Sequence, residues 1–272
     1  MITYEQRKLR LRELMALMKA DLKEYEEKYD GKFAEKPHIG LGNRKTKCVN
    51  EATLPIITCH SSCMQKCVLT CYVINIMTYP RPNCRRCQAR NTVLRRIDAV
   101  AYYEYFFAEA ERLQLPIRLS DGGDFENVEQ VHACIKAAKN HPTVHAIGYT
   151  KRIDLLSDMQ EAPDNLHIRY SAWEGDEGNT AKARDMGFDV TNVVYDGTGN
   201  CPYQKSLAKF MEHKRQIARQ LRSKGYETET ANKMAEAQTE ALIKVHHCRD
   251  CAKHGSGCCK KGIDISFNEV KS

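Results

Sequence analysis

The chain has 272 residues, of which 42% are hydrophobic, and a formal net charge of +7. This length suits one large domain or two small ones, and the apolar content suffices for a folded core. No apolar run is long enough to span a bilayer, and the N-terminus has no hydrophobic signal region. We therefore expect a cytoplasmic protein, neither inserted in a membrane nor secreted, in which clustered cysteines usually bind metal.

The N-terminal part predicts one long helix followed by a linker. Leucine and methionine recur at helical spacing between charges over residues 4–29, and glycines and prolines follow from residue 31. From these changes in pattern we predict three parts. They are an N-terminal helix and linker over 1–40, an α/β cluster-binding core over 41–200, and a helical insertion with a C-terminal metal-binding segment over 201–272.

Six of the 13 cysteines fall within residues 58–87. They are Cys59, Cys63, Cys67, Cys71, Cys84 and Cys87. Three residues separate each of the first four from the next, and the last two form a C-x2-C pair. Thiolates this close along a chain are typical of iron–sulfur clusters and zinc sites. In the alternative interpretation, Cys63, Cys67 and Cys71 share one buried face of a helix and pack as small apolar residues.

A helix is expected at 91–114, and a repeated strand–loop–helix pattern follows it. Strands are predicted at 116–120, 144–149, 167–171 and 189–195, with a first strand at 53–57, and helices near 126–140, 153–160 and 180–186. This pattern predicts a parallel sheet with crossover helices, and the small number of units favours a partial TIM barrel. Function is expected at the carboxyl ends of the strands, where these polar residues follow: Asp121, Asp124, Thr150, Lys151, Ser171, Glu174 and Asp196.

The C-terminal part predicts a helical hairpin and a second metal site. Residues 203–245 are charged and alanine-rich, with a break near Gly225, and the first helix is basic. Its basic face is either simply solvated or in contact with nucleic acid. Four thiolates, enough for a closed [4Fe–4S] cluster or a structural zinc, come from Cys201, Cys248, Cys251 and either Cys258 or Cys259.

Two motifs resemble those of radical S-adenosylmethionine enzymes. Cys63-x3-Cys67-x3-Cys71-Tyr72 is similar to their cluster loop, with one extra residue in the second gap, and Gly122-Gly123-Asp124 is similar to their Gly-Gly-Glu turn. The resemblance implies a [4Fe–4S] cluster with one open iron. Cys59 is an alternative ligand that would close it. The resemblance also implies a cofactor pocket with these residues: Gly122, Gly123, Asp124, Tyr72, Lys151 and Ser171.

The chain more closely resembles the phage gene product 88 family. The resembling blocks are 41–46, 120–125, 149–151, Cys201-Pro202, the Cys248-x2-Cys251 pair and 265–267. The departures are the Cys84/Cys87 pair and the helical insertion between Cys201 and Cys248. This resemblance implies a phage or mobile-element origin, the host cytoplasm as location and a cysteine-bound metal site.

Two functions follow as hypotheses. In the first, the protein is an iron–sulfur enzyme of radical S-adenosylmethionine type, acting on a substrate that the sequence leaves open. In the second, it is a zinc-stabilised protein associated with nucleic acid and without catalysis. The second would use Cys84-x2-Cys87 and Cys248-x2-Cys251 as zinc knuckles and a basic helix over 205–224 to contact phosphate.

Overall fold

The structure is a computed structural model that describes residues 4–41, 47–61, 67, 71–77, 82–173, 175–194, 202–243 and 265–268. The chain divides into two compact units, Met1–Thr191 and Asn192–Ser272. The division falls inside the fifth strand, and each unit is described by itself.

The first unit is built on a parallel sheet. Its strands are β1 (Val49–Ala52), β2 (Ile117–Gly122), β3 (Ala146–Thr150), β4 (Leu166–Ser171) and β5 (Val190–Val194). Every neighbouring pair from β1 to β5 is parallel, and the strands lie in chain order. The predicted α/β fold with a parallel sheet is confirmed, and the consecutive strand order is compatible with a partial barrel.

Helices precede and connect these strands. They are α1 (Tyr4–Tyr29), α2 (Tyr72–Met77), α3 (Pro82–Ile97), α4 (Ala99–Leu113), α5 (Val128–Asn140), α6 (Leu156–Met159, after a 3₁₀ turn at Ile153–Leu155) and α7 (Glu177–Asp185). Right-handed crossovers between strands in consecutive order place their helices on the same face of a sheet. The main hydrophobic core agrees, because residues of α4, α5, α6 and α7 all pack into it.

The two faces of the sheet differ in chemistry. Side chains alternate between the faces of a strand, and one set joins the helices in the main core: Val49, Ile117, Leu119, Ala146, Leu166, Ile168 and Tyr170. The alternate set is mostly polar: Asn50, Arg118, Tyr149, Lys151, His167, Arg169, Ser171, Asp189 and Thr191. The helices therefore cover an apolar face, and the sheet keeps a polar face on its other side.

Two predicted elements differ from the structure. The first strand was expected at 53–57, but β1 ends at Ala52. Pro55 has no N–H for a strand ladder, and Ile56 has a left-handed φ of 70°. Its apolar side chain instead packs in a second core against α1 and α2. The single helix expected at 91–114 is two helices, because Asp98 has extended backbone and its side chain caps α4.

The second unit contains the predicted helical hairpin, formed by α8 (Pro202–Ser223) and α9 (Thr228–Leu242). The predicted break is confirmed at Gly225, which has a φ of 91°. Small and apolar side chains hold the helices together: Ala218, Leu221, Ala231 and Ala235. The strand β6 (Ile265–Asn268) follows β5 in the strand order. In the described part of the chain, no helix combines the length and apolar character needed to cross a membrane.

Candidate functional site

The turn after β2 carries the two glycines predicted to approach a cofactor. Gly123 has a φ of 81°, a left-handed conformation that favours glycine. A Cβ added there would lie 2.2 Å from both Thr53 Oγ1 and Thr58 Oγ1. A Cβ at Gly122 would lie 3.1 Å from the Thr53 carbonyl oxygen. Close packing of the 53–58 segment on this turn therefore already requires both glycines.

Asp124 ties the ends of two strands together. Its Oδ1 accepts hydrogen bonds from the Phe125 N–H and the Thr150 hydroxyl, both at 2.8 Å. Its Oδ2 accepts from the Lys151 N–H at 2.8 Å, and its own N–H donates to Thr58 Oγ1 at 3.2 Å. Burial raises the pKa of Asp124, and the hydrogen bonds to its carboxylate oppose that rise. Asp124 thus fixes the turn after β2 against the end of β3.

Three of the predicted ligand cysteines lie beside this turn. Burial raises the pKa of Cys59 to about 12, and the negative charge of Asp124 adds to the rise. Cys67 and Cys71 raise it further. Burial also raises the pKa of Cys71, while a hydrogen bond from the Ile74 N–H at the start of α2 opposes the rise. These mutual electrostatic effects bring the three sulfurs and the Asp124 carboxylate into one neighbourhood.

Lys151 connects this neighbourhood to the next strand. Its Nζ donates to Ser171 Oγ at 2.7 Å and lies 5.8 Å from the centre of the Trp173 ring. Its positive charge also acts on Cys71, lowering a thiol pKa that burial raises. The predicted residues at the ends of β2, β3 and β4 therefore meet the cysteine loop at the carboxyl edge of the sheet.

A buried ion pair supports the site from the helix-covered face. Glu51 accepts from the Tyr102 hydroxyl and from the Ser120 N–H, both at 2.8 Å, and its Oε1 lies 3.6 Å from Arg95 Nη1. Arg95 Nη2 donates to the Asp124 carbonyl oxygen at 2.7 Å. Both charged side chains are fully buried. Sequence reasoning missed them, although one acid inside a short apolar strand and one arginine beside Val93 and Leu94 were the available signal.

The comparison with known families gives one match. A family model described as Gene product 88 matches residues 14–257 of the chain. The chain belongs to the gene product 88 family. No curated protein and no solved structure matches it.

Membership of the gene product 88 family confirms the closer of the two predicted resemblances. The weaker resemblance, to radical S-adenosylmethionine enzymes, has no support in these comparisons. The family description names no reaction, so it assigns no role to the residues at the sheet edge. Their geometry and chemistry have to supply the functional argument.

The Cys84/Cys87 pair of this gene product 88 chain lies in the first two turns of α3. Residues three apart share one side of a helix. Gln88 Nε2 donates to Cys84 Sγ at 3.9 Å, and the same nitrogen would lie 3.4 Å from a Cβ at Gly122. Gln88 thus connects this cysteine pair with the turn after β2.

Several predicted ligands lie outside the described residues: Cys63, Cys201, Cys248, Cys251, Cys258 and Cys259. Tyr72 begins α2, and its side chain is also outside the described part. Among the residues that the structure does describe, no three His, Cys, Asp or Glu side chains are placed to hold a metal ion. By donor chemistry the thiols suit zinc or an iron–sulfur cluster, and Cys59, Cys67 and Cys71 are the described residues that would contribute them.

Proposed function

We propose that the chain is an iron–sulfur protein of phage or mobile-element origin, with a [4Fe–4S] cluster bound by cysteines of the 59–71 segment. The observation that carries this proposal is the grouping of Cys59, Cys67 and Cys71 beside Asp124. Thiolate sulfurs are the ligands that such clusters require. The group also lies at the carboxyl edge of a parallel sheet, where α/β enzymes gather their catalytic residues.

The surroundings of the sulfurs suit a thiolate-bound metal. Burial keeps the metal-free Cys59 thiol protonated, because its pKa is raised to about 12. Metal binding displaces that proton, so we expect the affinity for metal to rise with pH. Lys151 and the Ile74 N–H both favour the thiolate form of Cys71.

In this proposal the chemistry is of the radical S-adenosylmethionine type, in which a reduced cluster supplies the electron that cleaves the bound cofactor. Gly122, Gly123 and Asp124 are then the residues nearest the cofactor end of the cysteine loop. Asp124 already accepts three hydrogen bonds from the protein itself. We therefore assign Asp124 a positioning role and assign contact with the ligand to Lys151 and Ser171.

The test is anaerobic purification of the full chain, followed by iron, sulfide and zinc analysis and electron paramagnetic resonance of the reduced protein. We expect iron and sulfide together with a [4Fe–4S]⁺ signal that changes when S-adenosylmethionine is added. Cys71→Ser should remove most of the signal, whereas Cys134→Ala, a change in the core under α5, should keep it. A signal indifferent to the cofactor would argue against the radical chemistry, and zinc without iron would reject the cluster.

The second unit favours a second candidate, a zinc-stabilised protein that associates with nucleic acid. Arg215, Arg219 and Arg222 are exposed at i, i+4 and i+7, so they share one face of α8. The apolar side of this helix, with Ala218 and Leu221, packs on α9 and is not available for insertion into lipid. A stripe of arginines with no apolar partner surface suits a phosphate backbone.

This second candidate is tested by binding of a fluorescent single-stranded and a duplex DNA over a range of salt concentrations. Neutralising three arginines that contact phosphate should make the salt dependence shallower by about two to three phosphate contacts. The variant Arg215→Gln/Arg219→Gln/Arg222→Gln makes this change, and Lys233→Gln on α9 is the control. A salt slope equal in both variants would exclude the stripe as the nucleic-acid contact.

A further inference from the structure

The carboxyl edge of the polar face holds a row of three polar side chains at one level. Thr150 pairs with Tyr170, and Ser171 pairs with Thr191 in the parallel register. The residue after Thr150 is Lys151, which is therefore level with Ser171, and its Nζ reaches Ser171 Oγ at 2.7 Å. An ammonium group and two hydroxyls thus stand side by side on the ends of β3, β4 and β5.

Thr191 gives the independent observation that points to a ligand. Its side chain belongs to a residue only 5% exposed, and its Oγ1 has no hydrogen-bond partner among the described residues. A buried polar group without a partner costs about 1–3 kcal/mol, whereas valine would fill the same space without that cost. An unpaired hydroxyl next to Ser171 is therefore better explained by a bound group than by packing.

The charge of the row selects the ligand. Lys151 brings a positive charge, and the nearby Asp124 carboxylate is already held by three protein donors. Hydroxyls and an ammonium together donate to an oxyanion and strengthen its binding through charge. We propose that Lys151, Ser171 and Thr191 bind the carboxylate or phosphate of a small ligand that reacts beside the cysteine loop. The inference rests on the proposed function only in placing the reaction at this edge.

The chain supplies its own reporter for this site. Trp173 is the only tryptophan, and Lys151 Nζ lies 5.8 Å from its ring centre. Binding of an anion at Lys151 should therefore change the intrinsic fluorescence. We would titrate the full, metal-loaded protein with inorganic phosphate and, in a second arm, with succinate. A saturable change with one of them identifies phosphate or carboxylate as the preferred oxyanion.

Two variants test the assignment. Lys151→Met should weaken binding by about tenfold or more, since hydrogen bonds to charged groups contribute about 1.5–3 kcal/mol. Thr191→Val should weaken it several-fold without lowering thermal stability, so a loss there cannot be attributed to misfolding. Lys136→Met, an exchange on α5, is the control and should bind as the parent does. No saturable change with either anion, or parent-like binding by either site variant, would overturn the inference.

The outcomes separate this inference from the proposed function. Oxyanion binding that depends on Lys151 in a protein containing zinc and no iron would sustain the inference while the cluster is rejected. A cofactor-responsive cluster in a protein that binds neither anion would do the reverse.

Discussion

The two faces of the parallel sheet are buried to a similar degree but differ in what burial does for them. Ile168 and Tyr170 pack under the crossover helices, where removing apolar surface from water stabilises the fold. On the other face Arg169 is fully buried and Thr191 nearly so, and burying such polar groups costs free energy unless they are paired. The comparison indicates that one face supplies stability and the other carries the candidate site.

Polar groups on the helix-covered face follow a different rule from those on the polar face. Glu51 shares a face with Val49, and its two oxygens are bonded to Tyr102 and Ser120 with Arg95 nearby. Thr191, on the polar face, has an Oγ1 without such a partner in the described part of the chain. Complete pairing characterises a structural role, and an unpaired buried atom is what a binding site leaves for its ligand.

The largest effect is expected from breaking the pair under the sheet. Glu51→Gln removes the charge opposite buried Arg95 and turns an amide N–H toward the Ser120 N–H. We expect a loss of about 3–5 kcal/mol in the free energy of unfolding, as for other buried pairs left with one partner. Glu109→Gln, which breaks a surface pair with Arg112, is the control and should cost less than about 1 kcal/mol. Urea denaturation measures both, and equal losses would contradict the structural role of Glu51.

The next largest effect concerns the turn that joins the two faces at the carboxyl edge. Gly123→Ala combines a left-handed φ of 81° with contacts at 2.2 Å to two threonines. Gly187→Ala shares the left-handed backbone, with a φ of 84°, but its Cβ would meet nothing within 4 Å. The control should therefore lose only the backbone strain, about 1–2 kcal/mol.

Overpacking against Thr53 and Thr58 should add about 1–3 kcal/mol to that strain in Gly123→Ala. Thermal unfolding of both variants under one buffer condition measures the difference. If the two variants unfold at the same temperature, the turn is not packed as described.

Much of this architecture is predictable from local sequence patterns. The strands ending at Gly122, Thr150 and Ser171 are short apolar runs bounded by turn residues, so periodicity and punctuation locate them. The grouping of Asp124, Lys151 and the cysteine loop follows from the rule that parallel strands end at one edge.

What the sequence does not reveal depends on distant partners. A strand at Val49–Ala52 contains Glu51, which looks unsuited to a buried strand until Arg95 and Tyr102 are placed beside it. The apolar 53–57 segment looks more like a strand, but Pro55 and the left-handed Ile56 turn it into a loop. The glycines of the 122–124 turn resemble a cofactor motif, although the threonine packing that requires them comes from far earlier in the chain.

A smaller effect compares one hydroxyl from each face. Thr150→Val removes a hydrogen bond to Asp124 Oδ1 at 2.8 Å and should cost about 1–2 kcal/mol. Thr191→Val removes an Oγ1 without a partner in the described residues and should be neutral or slightly stabilising. Denaturant midpoints of the two variants, compared at equal m-values, measure the contrast. A loss in Thr191→Val as large as that in Thr150→Val would mean that both hydroxyls serve the fold.

The smallest effect lies at the outer surface of the helical layer and depends on pH. His141 bridges Glu111 and Glu104, each at 2.9 Å, and packs along Phe107. Burial lowers the pKa of His141, but the hydrogen bonds to Glu111 and Glu104 outweigh it, so the pKa is raised above its ordinary value. A raised folded-state pKa stabilises fully below the unfolded value, about 6.5, and the benefit is lost as pH rises through the folded value.

His141→Gln keeps one hydrogen-bonding group without the charge. The stability difference between parent and variant should therefore be larger at pH 5.5 than at pH 9. It should stay below about 1 kcal/mol, because the two carboxylates are 42% and 45% exposed and solvent screens them. Urea denaturation at both pH values measures it. A difference that does not change with pH would mean that His141 acts through its stacking on Phe107 and not through its charge, in keeping with a helical layer stabilised by apolar packing.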